Sequence, residues 1–165
     1  MNSKREEELE RLLETGKIEQ VLVSYCNYVD LARPESVGAL FTKDCRFDYG
    51  HSRIFEGRSA LVELLTDRLA TYANTSHHLT NLEVNFDSPT EAQACSYVYA
   101  YHRVANSNEV LHVWGRYEDH LIRTLEGWRI QERRIRVAGS EGFSTPENLD
   151  TPFEHFKRES LHQPN

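Results

Sequence analysis

The sequence has little with which to build disulfides, hold polyphosphate or cross a membrane. Its three cysteines, Cys26, Cys45 and Cys95, are isolated, odd in number and form no CxxC pair, which excludes a disulfide framework and points to a reducing compartment. No apolar run approaches the length of a membrane span, and the charged stretch Met1 to Glu14 lacks the apolar core of a signal peptide. A cytoplasmic protein without membrane contact is expected. Basic residues are outnumbered, 19 Lys and Arg against 26 Asp and Glu, for a net charge of −7. Phosphate backbones need a basic field, so a general nucleic-acid surface is excluded. The one basic cluster, Arg133-Arg134-Ile135-Arg136, alternates with apolar neighbours and reads as the exposed face of a strand. HExxH, paired Cys/His spacing, G-x-S-x-G, a glycine-rich phosphate loop and a dinucleotide fingerprint are all missing. His112 and His120 share a strand parity but lie too far apart to hold a metal without other ligands. Neither a metal nor a cofactor is expected.

What is there suffices for one domain with a real core: 165 residues, 39% of them hydrophobic and 27% charged. Leu9, Leu12 and Leu13 make a narrow helical stripe that Thr15-Gly16 is placed to interrupt. Ile18, Val21, Leu22, Tyr25, Cys26 and Val29 then recur at helical spacing until Arg33-Pro34, where the residue before proline leaves the helical region. Pro34 suits the first turn of a short second helix. From Cys45 the period changes to two, giving short strands on either side of Gly50-His51-Ser52. A third helix carries Leu61, Leu64, Leu65 and Leu69, with Ser59 as the expected cap.

The second half reads as strand. Leu82 to Phe86, Glu91 to Val104, Val110 to Thr124 and Trp128 to Val137 are joined by short polar turns, the pattern of an antiparallel meander. Thr151-Pro152-Phe153-Glu154 then combines a capping residue, a first-turn proline and a glutamate, and predicts a short terminal helix carrying Phe153, Phe156 and Leu161. Helices first and one large sheet after them make an α+β class, with the helices on one face of the sheet. Such a layer against a curled sheet leaves an open-ended cone, a natural pocket.

Two residues carry the chemistry. His77, in Thr75-Ser76-His77-His78-Leu79-Thr80-Asn81, stands just ahead of a strand pattern, and histidine is the side chain that titrates near neutral pH. Asp30 sits in the last turn of a helix, where the dipole disfavours a carboxylate by some tenths of a kcal/mol. A local conflict of that kind is where a functional residue is expected. Strand alternation turns His78 away from its neighbour. Tyr97, Tyr99 and Tyr101 share one parity, as packing between sheets or subunits requires. Trp114 and Arg116 have the opposite parity to Tyr117, so only one set faces the cone.

An ordered series of motifs resembles a known family. Tyr28-x-Asp30 at a helix end is followed by Phe47-Asp48-Tyr49, Gly57-Arg58-x-Ala60 and His77-x-x-Thr80-Asn81. Gly115-Arg116-Tyr117-Glu118-Asp119 and Gly127-Trp128-Arg129-Ile130 complete it. The series is similar to the SnoaL-like branch of the nuclear-transport-factor-type cone fold, akin to scytalone dehydratase, bile-acid dehydratase and hexachlorocyclohexane dehydrochlorinase. The resemblance implies a curled antiparallel sheet with N-terminal helices packed on its concave face, a cone-shaped α+β barrel. It covers about residues 15 to 140, leaving 1–14 as a helical extension and 141–165 as a tail. It further implies an Asp30–His77 catalytic dyad in a cofactor-independent lyase or isomerase acting on a small, apolar cyclic substrate. Tyr49 resembles the tyrosine that polarises a carbonyl in the dehydratases, and Tyr28 a second such tyrosine. His102 resembles a further histidine that helps a hydroxyl leave, with a hydrogen-bonded pocket wall as its other reading. Asn81, Trp114 and Arg116 are carried as substrate-binding candidates. The scaffold also resembles polyketide cyclases, ketosteroid isomerase and the non-catalytic small subunit of ring-hydroxylating dioxygenases. A homo-oligomer, trimer or dimer, is expected.

Overall fold

In the computed structural model, residues 2–50, 53–142 and 154–155 are described. The chain opens with a helix, α1 (Asn2–Asp30), that runs through Thr15-Gly16 without a break. The expected interruption does not occur because Glu14 pins the helix to the sheet. Its carboxylate accepts the Trp128 Nε1–H at 2.7 Å and a Lys17 ammonium hydrogen at 2.7 Å. Those bonds outweigh the roughly 1 kcal/mol that a glycine costs in a helix interior. Ahead of Glu14 the stripe Leu9, Leu12 and Leu13 stays exposed, whereas Ile18, Leu22, Tyr25, Cys26 and Val29 beyond it are buried.

The end of α1 fixes the site. Ala32 takes a left-handed conformation, φ 50°, and the Ala32 and Arg33 N–H groups donate back to the Val29 and Tyr28 carbonyls at 2.9 and 2.8 Å. This paired closure satisfies the terminal carbonyls and sets the angle at which Asp30 leaves the helix. A short helix α2 (Pro34–Gly38), begun by proline as expected, leads to the strands β1 (Phe41–Asp48) and β2 (Ile54–Glu56). Helix α3 (Arg58–Leu69) follows, with Gly57 at φ 86° in the cap position that the sequence pattern assigns to Ser59. Leu61, Leu64 and Leu65 are its buried face.

The meander is β3 (Tyr72–Ser88), β4 (Glu91–Val104), β5 (Val110–Thr124) and β6 (Gly127–Glu141). Strand β3 begins well before Leu82, so His77 lies inside a strand rather than at its entrance. The sheet order is β2-β1-β6-β5-β4-β3, and β1 runs parallel to β6. The sheet is therefore mixed, not wholly antiparallel. A helix and the whole meander separate β1 from β6, so nothing obliges their directions to alternate. Six strands in this order form a curled sheet that does not close. Bulges bend it: the register shifts between Thr80 and Glu83 on β3, and at Gln131 and Ala138 on β6, opposite β5. Glu154–His155 form a two-residue strand, β7, parallel to β6. The rest of the expected terminal helix lies outside the described residues. No helix among the described residues is long and apolar enough to cross a membrane.

The core lies between α1, α3 and the concave face, where Ile18, Leu22, Phe41, Phe47, Leu61, Leu121 and Ile130 are buried. The helices sit on that face, as expected.

Candidate active site

Asp30 and His77 meet there. His77 Nδ1 lies 2.7 Å from Asp30 Oδ1, and the His77 backbone N–H donates to Oδ2 at 2.9 Å. The Thr75 hydroxyl adds a third bond, to Oδ1 at 2.8 Å. A carboxylate that accepts all three fixes the ring proton on Nδ1 and leaves a lone pair on Nε2. Nε2 makes no hydrogen bond among the described residues. The histidine side chain is 8% exposed and the aspartate 26%. Burial pushes the Asp30 pKa up. The hydrogen bonds from the His77 ring and backbone, the imidazole's charge and Thr75 outweigh it and hold the pKa below the ordinary carboxylate value. The penalty of placing Asp30 at a helix C-terminus is met by these bonds.

A second histidine leans on the first. The His102 ring stands edge-on to His77, centroids 5.3 Å apart, and packs at 4.7 Å against Tyr72. Burial first, and then the nearby His77 charge, lower the His102 pKa to about 4, so it is neutral at physiological pH. Its Nδ1 is buried without a hydrogen-bond partner among the described residues. Tyr49 lies on the same interior, 5.7 Å from Phe47, with Tyr25 and Tyr72 close enough to act on its charge. Burial pushes its pKa well up, so it stays a hydrogen-bond donor at any physiological pH. Tyr28 is half-buried against the core.

Other candidates are elsewhere. Tyr117 faces the interior and is buried, which turns Trp114 and Arg116 to the outer face. Trp114 is 42% exposed there, and Arg116 pairs with Glu118 at 2.8 Å. Asn81 is exposed in the β3 bulge, with φ 50°. His78 is exposed and turned away from His77, bonded to Ser76 Oγ at 3.0 Å. The three tyrosines of β4 line the outer face, where Tyr97 is 44% exposed.

The sequence pattern missed Arg133. It is not on an exposed strand face but fully buried, and its guanidinium grips Asp119 through Nε and Nη2 at 2.7 and 2.8 Å. It also lies 4.0 Å above the Tyr25 ring and 4.2 Å from that of Tyr117. Burial opposes its charge, yet Asp119 holds its pKa above the usual guanidinium range. The cause of the inward turn is a bulge. Leu121 pairs with Ile130 but His120 with Glu132, so Gln131 is an extra residue that inverts the parity of β6. The signal was present: Trp128 and Ile130 share one parity, Ile135 and Val137 the other.

With this geometry in place, comparison with known proteins settles the family. A model described as a SnoaL-like domain matches residues 10–134. The chain belongs to the SnoaL-like family. An uncharacterized protein of Mycobacterium tuberculosis is 30% identical to this SnoaL-like chain over 121 residues, 71% of this chain and 80% of its own length. Among solved structures, a candidate scytalone dehydratase of Novosphingobium aromaticivorans is 29% identical, with a TM-score of 0.78 over 82% of this chain and 91% of its own. A hexachlorocyclohexane dehydrochlorinase, LinA type 2, shares the fold at 16% identity, with a TM-score of 0.75 over 93% of this chain and 99% of its own. The curled cone of the nuclear-transport-factor type is thus the fold of this SnoaL-like chain.

Proposed function

We propose that this chain is a cytoplasmic, cofactor-independent lyase or isomerase of the dehydratase type. The observation that carries the reading is the 2.7 Å bond between Asp30 and His77 Nδ1, which leaves Nε2 as a base on the concave face. In the proposed reaction Nε2 takes a proton from a carbon next to an activating group. The electron pair of that C–H bond moves onto the activating oxygen, and Asp30 stabilises the imidazolium that forms. Tyr49, kept protonated by burial, donates a hydrogen bond to the developing enolate. The enolate then expels a hydroxyl or other leaving group, or takes the proton back at a different carbon. The His77 imidazolium gives its proton to the departing hydroxyl, which leaves as water, while neutral His102, edge-on to His77, hydrogen-bonds that hydroxyl. The substrate is a small, largely apolar ring compound, because the interior around the dyad is built of aromatic and aliphatic side chains.

The test is a panel of cyclic ketones and alcohols offered to the purified protein and to His77→Ala. Turnover that disappears in the variant supports the reading. Turnover that survives it assigns the base to another group, as in the acid-based polyketide cyclases and ketosteroid isomerase. No turnover with any member, together with tight ligand binding, favours a binding or assembly module. The reading includes self-association through the outer face of β4 and β5, where Tyr97 and Trp114 stand exposed. Sedimentation showing only monomer contradicts that part.

A further inference from the structure

A cleft of about 160 Å³ lies between the middle of α1 and the bulge of β3. Neither member of the dyad lines it, and Val23 on its wall is about 10 Å along the helix from Asp30 at the helical rise per residue. The bulge makes the cleft. Thr80 pairs with Tyr97 but Glu83 with Cys95, so Asn81 and Leu82 together oppose the single residue Ser96. Asn81 takes the left-handed conformation that a bulge of this kind demands, at φ 50°, and asparagine tolerates it better than most residues.

The lining has three chemically distinct parts. Leu22 and Val23 from α1, with Leu79 and Leu82 from β3, form apolar walls. Ser96, 1% exposed, closes the inner end, and its Oγ is buried with no hydrogen-bond partner among the described residues. A buried hydroxyl is rarely left unpaired, so an unpartnered one lining a cavity marks a place for a polar group from outside. Glu19 stands exposed at the mouth beside Asn81, and forms no ion pair among the described residues.

We propose that this cleft is a second ligand site, separate from the Asp30–His77 centre, for a small amphiphilic ammonium ion that carries a hydroxyl at its far end. The ammonium group pairs with Glu19 and the Asn81 amide oxygen at the mouth. The apolar body lies between the leucines and Val23. The distal hydroxyl bonds Ser96 Oγ and satisfies it.

Tyramine has this design and serves as the probe. Calorimetry with the full chain gives affinities, and amide NMR shifts locate the binding. Tyramine is expected to shift Val23, Asn81 and Leu82. Phenethylamine, which lacks the hydroxyl, should bind roughly threefold to tenfold more weakly, the worth of one hydrogen bond. Ser96→Ala should abolish that difference. The carboxylate analogue, p-hydroxyphenylpropionate, should bind more weakly than tyramine, and Glu19→Gln should reduce the gap by roughly twofold to fivefold, as for an exposed ion pair. His77→Gln should leave tyramine binding unchanged. Equal binding of all three probes, no amide shifts at millimolar tyramine, discrimination that survives Ser96→Ala, or binding lost in His77→Gln would each overturn the proposal.

Discussion

Two carboxylates meet nitrogen donors inside this cone, and they are built for different ends. Asp119 and Arg133 are both fully buried, joined by two parallel bonds and roofed by Tyr25 and Tyr117. Asp30 and His77 are joined by one ring bond and one backbone bond, and their side chains keep 26% and 8% exposure. The first pair spends both acceptor oxygens on a group that does not titrate. The second leaves one ring nitrogen of His77 without a hydrogen bond among the described residues. A sealed pair holds structure; a pair with one free nitrogen can do chemistry. The contrast separates an architectural ion pair from a candidate catalytic one without reference to any relative.

The sharpest way to break the contrast is to remove one half of the sealed pair. Arg133→Met leaves the Asp119 charge buried and alone, and should cost about 3–5 kcal/mol of stability in urea unfolding. Adding Asp119→Leu should recover most of that loss, because an apolar pair of similar volume often replaces a buried ion pair without penalty. The same treatment of the open pair should behave in the opposite sense. Asp30→Asn should lower turnover about 10²-fold or more while costing only about 1–2 kcal/mol of stability, measured on one preparation by rate assay and urea unfolding.

His102 sharpens the comparison through pH. Its pKa falls from 6.5 to about 4 on folding, because burial and His77 disfavour its charge. As pH drops below 6.5 the unfolded chain takes up a proton that the folded chain resists, so stability is full above that value and declines toward pH 4. Wild type should lose about 2–3 kcal/mol across this window on account of His102 alone. His102→Gln should flatten the slope in pH-dependent unfolding. Asp30 works in the other direction. Its lowered pKa contributes stability above 3.8 that is lost only as pH falls through the folded value. The smallest effect belongs to the cap that sets Asp30: Ala32→Gly relieves a left-handed alanine and should raise stability by no more than about 1 kcal/mol.

Much of this was legible in the chain. Helical spacing from Ile18 to Val29, the proline at 34 and the alternation in β4 and β5 all carried through, because burial of one face imposes a period. The Asp30–His77 contact was legible as a local conflict and as a resemblance. Features set by tertiary contacts were not. The run of α1 through Gly16 depends on Trp128, distant in sequence, and the parallel β1–β6 pair leaves no local trace. Arg133 was missed because a one-residue insertion at Gln131 inverts the parity of β6 without changing composition, whereas Ser96 keeps the regular inward parity of β4 and gains its cleft only from the bulge on the facing strand β3. The same uncertainty of parity left Trp114 and Arg116 on the list of pocket residues.

The central claim is that His77 Nε2 is a base held ready by Asp30, and hydrogen exchange at carbon tests it most directly because it needs no leaving group. Small cyclic ketones incubated in deuterated buffer with wild-type protein should gain deuterium beside the carbonyl faster than in buffer alone. His77→Gln should reduce the enzymatic rate about 10²–10⁴-fold, the range ascribed to a positioned general base. Exchange that proceeds at the wild-type rate in His77→Gln would contradict the account.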